Sequence, residues 1–224
     1  MARTTGKMYN FVTHTANPIA GDCMHKCSYC YVNNLKERFI KIANKYSGSP
    51  RLDELGMLEI SGKHKTIFVC DMADLFADNV PTETIETILL KCKEKQANKY
   101  LFQTKNPKRL LSFIDFFPEK TIICSTIETN RHYAEIMGNS PKPFERAKEL
   151  TKIQNLNTGI DIFITIEPIL DFDLQEFTNL LKAIAPKQIN IGYDSKQNNL
   201  PEPSKEKVSL LINELEKFSN ILLK

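Results

Sequence analysis

Apolar residues along this chain occur in short continuous runs that alternate with longer stretches of helical spacing. Several of the short runs are rich in β-branched residues, which is typical of parallel strands that are covered on both faces. We predict six strands, at residues 11–14, 66–71, 100–104, 121–127, 161–166 and 188–192.

The stretches between these runs have the periodicity of helices. Residues 81–96 begin with a proline near the first turn and carry Ile85, Ile88 and Cys92 on one face. One further helix is predicted just after the cysteines at 23–30. The others are predicted at 106–114, 144–153, 174–184 and 205–218.

Six strands that alternate with six helices favour βα units joined by right-handed crossovers. A closed eight-stranded barrel usually needs about 250 residues, and this chain has 224. We therefore predict an α/β fold, a partial TIM barrel of the (β/α)6 type, in a single domain that spans residues 1–224.

In such folds the functional residues collect at the carboxyl ends of the strands. Polar residues and a glycine lie at or just after the ends of the predicted strands, although loops are polar in any protein. The candidates at these positions are Asp71, Lys105, Ser125, Glu128, Glu167 and Gly192.

Composition and charge narrow the function classes only a little. The net charge of +3 is too small to indicate nucleic-acid binding by itself. No apolar run approaches the roughly 20 residues that span a bilayer, so no membrane partner is expected. The first eight residues lack the apolar core of a signal peptide, and we expect a cytoplasmic location.

Three of the six cysteines stand close together as Cys23, Cys27 and Cys30, with C-x3-C-x2-C spacing. Thiolates are the usual ligands of iron–sulfur clusters, and three of them leave one iron of a 4Fe-4S cluster open. The alternative is a zinc site completed by His25 or His14. Zinc sites generally use paired C-x2-C elements, and a second pair is absent from the sequence.

This spacing, with the aromatic Tyr29 before the last cysteine, resembles the signature of the radical S-adenosyl-L-methionine (SAM) superfamily. The resemblance implies a 4Fe-4S cluster, SAM bound to its open iron, and reductive cleavage of SAM to a 5'-deoxyadenosyl radical. It also implies a reducing electron donor of the flavodoxin or ferredoxin type. In this chemistry the cofactor supplies the reactivity and the protein orients it.

Segments 67–76, 103–110 and 166–170 resemble a small radical SAM group found in phage and prophage genomes, and the match runs from about 17 to 195. That group has tryptophans before the cysteines, which this chain lacks. The cysteine segment itself is similar to that of spore photoproduct lyase. This second resemblance implies that Cys70 donates a hydrogen atom, whereas free cysteines are more often buried apolar residues.

Contacts to SAM are assigned by its chemical groups. Asp71 can accept from the ammonium, Lys105 can pair with the carboxylate, and Ser125 or Glu128 can bind the ammonium or the ribose. Tyr29 and the backbone at Gly192 are candidates for the adenine. Glu167, held extended by the following proline, needs a cationic partner, and the candidates are Arg131 and Lys105.

Several functions remain open at this point. The first is a radical SAM enzyme that acts on a nucleoside, a nucleotide, a nucleic acid or another small molecule. The second is DNA repair like that of spore photoproduct lyase, with Cys70 as the donor. The third is a non-catalytic module that binds zinc or an iron–sulfur cluster. Radical methyl transfer needs additional cysteines, and neither Cys92 nor Cys124 clearly provides one.

Overall fold

A computed structural model of the chain describes residues 9–224. The first eight residues, on which the expectation about a signal peptide rests, lie outside the described part. The described strands are β1 (His14–Ala16), β2 (Ile19–Ala20), β3 (Arg51–Leu52), β4 (Thr66–Val69), β5 (Lys99–Thr104), β6 (Thr121–Thr126), β7 (Asp161–Ile166), β8 (Gln188–Ile191) and β9 (Asn220–Leu223).

A seven-stranded sheet forms the centre of the molecule, with the order β1-β4-β5-β6-β7-β8-β9. Every neighbouring pair in it is parallel. The edges β1 and β9 do not pair with each other within the described residues, so the barrel is open. The predicted α/β fold with a partial barrel is confirmed.

Two differences from the predicted strands have simple causes. The first strand lies at His14–Ala16 and pairs with β4, so the run predicted at 11–14 precedes it. The seventh strand, β9, was not predicted, because its four partly exposed residues follow a helix without a clear change of periodicity. Its pairing with β8 makes it part of the sheet.

Helices connect the strands and cover one face of the sheet. The predicted helix at 106–114 is in fact a short α-helix followed by a 3-10 helix at Leu111–Phe116. The α-helices are α1 (Tyr31–Arg38), α2 (Ile40–Lys45), α3 (Glu54–Leu58), α4 (Thr82–Glu94), α5 (Pro107–Leu110), α6 (Ala134–Met137), α7 (Pro143–Asn155), α8 (Leu174–Ile184) and α9 (Lys205–Leu215).

The two faces of the sheet are buried differently, because successive strand residues point to opposite sides. One face packs against the helices and forms the main core, in which Phe102 of β5 and Leu89 of α4 are fully buried. The opposite face carries a smaller cluster without helical residues, where Leu101 and Cys124 pack near Tyr9. Among residues 9–224 no helix is long and apolar enough to cross a membrane.

Candidate functional site

The cysteine loop, defined here as residues 22–30, follows β2 and ends at Cys30, the N-cap of α1. It rests on the segment around α6, which follows β6. The Asn139 N–H donates to the carbonyl of His25 at 2.7 Å, and the Ser28 N–H donates to Ile136 at 3.0 Å. The segment around α6 therefore holds the loop in place through backbone hydrogen bonds.

Gly138 allows this close contact between the loop and the segment below it. Its φ is +58°, and a Cβ atom there would lie 2.2 Å from the carbonyl oxygen of His25. Only a glycine fits such a position. The sequence analysis did not single out Gly138, because the loop against which it packs lies more than a hundred residues earlier in the chain.

Asp74, just beyond β4, joins the loop to the end of β5. Its buried carboxylate accepts from His25 Nε2 at 2.7 Å, from the Thr104 hydroxyl at 3.0 Å and from the Lys105 N–H at 2.8 Å. Burial by itself raises the pKa of Asp74, but the hydrogen bond and charge of His25 and the other donors outweigh it and lower the pKa. The sequence analysis gave Asp74 no role.

The three loop cysteines have different surroundings. Cys27 is buried, and its Sγ lies 3.5 Å from the Met137 carbonyl oxygen and 3.1 Å from Lys105 Nζ. Cys23 and Cys30 are partly exposed. Burial and the nearby charge of Asp74 raise the pKa of Cys23 to about 11.

A buried group of charged and polar side chains adjoins Cys27. Lys105 Nζ donates to Tyr29 Oη and lies 3.4 Å from Glu128 Oε1, and Tyr29 donates to the same carboxylate. The other oxygen of Glu128 accepts from Arg146 Nη1 at 2.8 Å. Neither Arg146 nor Glu128 is exposed at all. Arg146 lies on α7 and was not predicted, because an arginine in a helix usually faces solvent.

The electrostatics of this group follow from burial and pairing. Burial by itself raises the pKa of Glu128, but Arg146, Lys105 and the Tyr29 hydrogen bond lower it to about 2. Burial lowers the pKa of Lys105, but the interactions with Tyr29, Glu128 and Cys27 outweigh it and raise the pKa. Burial and the Glu128 charge raise the pKa of Tyr29. At neutral pH the group holds two cations, one carboxylate and a neutral phenol.

Asp71 and Ser125, two further candidates for SAM contacts, have partners outside this buried group. Asp71 accepts from Asn17 Nδ2 at 2.6 Å and lies beside the Tyr31 hydroxyl, and burial raises its pKa despite these bonds. Ser125 is fully buried and donates to the Thr104 carbonyl of β5 at 2.7 Å.

Glu167 and Gly192 lie together at the ends of β7 and β8, since a Cβ on Gly192 would lie 3.1 Å from Glu167 Cγ. The cationic partner of Glu167 is Lys224, at 2.5 Å, so both expected partners, Arg131 and Lys105, are wrong. Arg131 instead binds the carboxylates of Asp171 and Asp173, which lie in the connection between β7 and α8.

Cys70 lies in the helix-covered core and is 3% exposed. Its φ is +60°, a left-handed conformation that is uncommon for a residue with a side chain. Burial raises the pKa of the Cys70 thiol, and Cys92 of α4 is among its neighbours. The hydrogen-donor role of Cys70 stays a prediction.

The donors of the cysteine loop fit an iron–sulfur cluster in their chemistry. One loop supplies three thiols, Lys105 offers a cation to the sulfur of Cys27, and clusters respond to charge and to hydrogen bonds at sulfur. His25 Nδ1 is buried and has no hydrogen-bond partner among the described residues, so a bound group could satisfy it. Among residues 9–224 no three His, Cys, Asp or Glu side chains are arranged to hold a metal ion. The fit therefore rests on the chemistry of the donors, not on converging side chains.

The sequence was compared with protein-family models and with curated proteins. Residues 7–185 match the family model described as "Protein of unknown function (DUF5131)". No curated protein matches the sequence significantly.

Two solved structures illustrate the likeness. Spore photoproduct lyase complexed with dinucleoside spore photoproduct is similar with a TM-score of 0.67 and 13% identity, over 93% of this chain and 76% of that chain. SuiB of Streptococcus suis, bound to S-adenosylmethionine, is similar with a TM-score of 0.59 and 9% identity, over 96% of this chain and 51% of that one. This chain, an open partial TIM barrel, is therefore similar in fold to these two proteins.

Proposed function

Since this chain belongs to the DUF5131 family of proteins of unknown function and has this fold, we propose that it is a radical SAM enzyme. When bound by Cys23, Cys27 and Cys30, a 4Fe-4S cluster would supply the electron that cleaves SAM into methionine and a 5'-deoxyadenosyl radical, which abstracts hydrogen from the substrate. The phage- and prophage-associated group within the superfamily stays a prediction.

One observation carries the proposal, which is the position of the cysteine loop relative to the strand ends. Asp74 follows β4, Lys105 follows β5 and Glu128 follows β6, and the loop contacts all three of these residues directly. Residues from four separate segments thus meet at the edge of the sheet where α/β enzymes bind their ligands.

Among the three carboxylates proposed to contact SAM, Asp71 and Glu167 are more accessible to a ligand than Glu128. Each is only partly buried and has acceptor capacity beyond its present partners, which suits the SAM ammonium or ribose. The Glu167 side chain packs against the backbone at Gly192, where a Cβ would lie 3.1 Å from it, so an adenine bound at Gly192 would also contact Glu167. The polar atoms of Ser125 and Glu128 are already bonded to buried protein groups, so a SAM contact there requires those bonds to break.

The substrate is proposed to be a nucleoside, a nucleotide, a nucleic acid or another small molecule, and the electron donor a flavodoxin or ferredoxin in a reducing cytoplasm. The nucleic-acid class is supported by the likeness to spore photoproduct lyase, whose solved complex contains a dinucleoside. Repair of the same lesion by this chain would require a hydrogen donor. The burial of Cys70 in the core weighs against that cysteine.

The test is anaerobic reconstitution with iron and sulfide, reduction with dithionite in the presence of SAM, and measurement of 5'-deoxyadenosine. We expect the wild-type protein to produce it and Cys27→Ala to fold without binding iron or cleaving SAM. Cys92→Ala is the matched control, because Cys92 is also buried but lies on α4 in the core. A colourless wild-type protein that carries zinc and leaves SAM intact would instead favour the non-catalytic binding module.

A further inference from the structure

Lys105 has a role in the structure that differs from a contact to the SAM carboxylate. An ammonium group has three N–H donors and no acceptor. In this structure its Nζ lies against three acceptors: the sulfur of Cys27 at 3.1 Å, the oxygen of Tyr29, and Glu128 Oε1 at 3.4 Å. The ammonium therefore donates two hydrogen bonds to protein groups and forms an ion pair with a third.

The position of Lys105 is set from behind by a second cation. Arg146 binds the far oxygen of Glu128 at 2.8 Å and also donates to the carbonyls of Thr126 at 2.5 Å and Pro141 at 2.7 Å. These bonds fix the carboxylate, and the carboxylate in turn fixes the ammonium beside the sulfur of Cys27. The side chain of Lys105 is only 14% exposed, so solvent screens its charge weakly.

The loop cysteines are consequently in unequal electrostatic surroundings. Cys27 lies beside the Lys105 ammonium, whereas the nearby charge for Cys23 is the Asp74 carboxylate. Hydrogen bonds from charged donors are stronger than neutral ones. Hydrogen bonds to the ligand sulfurs and the local charge both set the reduction potential of an iron–sulfur cluster.

We propose that Lys105 is a positioning residue for Cys27, which holds its sulfur by a charge-assisted N–H···S bond and favours the addition of an electron at the site. This inference rests on the proposed function and deepens it, since it assigns Lys105 to the cluster side of the site and not to SAM. The Arg146–Glu128 pair is the support that keeps Lys105 in place.

The experiment compares the reconstituted wild-type protein with Lys105→Met, which removes the charge and the donors while keeping an unbranched chain. Lys105→Arg keeps the charge, and Lys187→Met is the control, because Lys187 is an exposed lysine paired with Asp161 at the opposite end of the sheet. The readouts are iron content, the midpoint potential of the cluster without SAM, and the affinity for SAM.

For Lys105→Met we expect the equilibrium constant of cluster reduction to fall about tenfold or more, which is about 59 mV for one electron. Lys105→Arg and Lys187→Met should stay close to wild type, and SAM affinity should change less than the potential. An unchanged potential together with a tenfold weaker affinity for SAM would overturn the inference and assign Lys105 to the SAM carboxylate.

Folding of each variant is checked by circular dichroism. If Lys105→Met does not fold, Lys105→Gln replaces it, since its amide keeps a donor without the charge. A lowered midpoint potential then supports the inference, and an unchanged potential with weaker affinity for SAM overturns it. A wild-type protein that binds no cluster would refute the proposed function itself, and this measurement comes first, so the two failures are distinguishable.

Discussion

Replacing Arg146 by Met tests whether the buried charges beside Cys27 are essential to the fold. The substitution keeps a long unbranched side chain but leaves the buried Glu128 carboxylate with only Lys105 and Tyr29 as partners. It also removes the donors to the carbonyls of Thr126 and Pro141. Glu128 would then be a buried charge with reduced compensation.

The magnitude follows from two independent considerations. Arg146, Lys105 and Tyr29 together lower the pKa of Glu128 from 4.5 to about 2, which corresponds to about 3 kcal/mol of stabilisation of the carboxylate, shared among these partners. Breaking a buried ion pair by removing one partner costs about 3–5 kcal/mol. We therefore expect Arg146→Met to lose about 3–5 kcal/mol of unfolding free energy.

The assay is urea and thermal unfolding of the cluster-free protein at pH 7. For a chain of this size the expected loss lowers Tm by about 6–20 °C. Lys152→Met is the matched control, because Lys152 lies on the same helix, α7, and pairs with Glu149 at the surface. Such pairs contribute about 0–1 kcal/mol. A loss below about 1 kcal/mol for Arg146→Met, similar to the control, would refute the reasoning.

Three further predictions concern the same region. The destabilisation caused by Glu128→Gln should be greatest above pH 4.5 and shrink as the pH falls towards 2, because the lowered pKa of Glu128 stabilises the fold only while its carboxylate is ionised; urea titrations at several pH values measure this. Gly138→Ala should reduce iron incorporation, since its Cβ would collide with the loop. Gly159→Ala is the control and should not, because Gly159 also has a positive φ but lies in open space. Equal iron content in both variants would contradict this prediction. In the native cluster-free protein, iodoacetamide should modify the partly exposed thiols of Cys23 and Cys30 before the buried thiols, including that of Cys27, and mass spectrometry that finds the reverse order would contradict the burial described. The buried thiols outside the loop are Cys70, Cys92 and Cys124.

Much of the architecture was predictable because it depends on local patterns. Residues 161–166 and 174–184 were predicted with the bounds that β7 and α8 have. A continuous apolar run or a 3.6-residue period is sufficient to identify such an element. The sequence also shows that the three cysteines share one loop, whereas the cluster that they would bind stays a prediction.

Partners that are distant in the chain were not predictable. Glu167 was expected to pair with Arg131 or Lys105, but it pairs with Lys224, which follows the unpredicted strand β9. Periodicity shows which face of a strand or helix is buried, but it does not show which strands are neighbours at the sheet edge. The choice of partner therefore depended on a strand that the apolar pattern did not reveal.

The sequence by itself determined the class of fold, the strands that end in polar residues and the three closely spaced cysteines on which the proposed cluster rests. Only the tertiary structure decided how these parts meet: that Asp74 binds His25, that Gly138 lies beneath the loop, and that Arg146 holds Glu128 against Lys105. The physical reason is that a buried charge needs a partner within a few ångströms. The sequence shows that such charges follow the strands, but their partners are chosen by the register of the sheet and the packing of the helices on it.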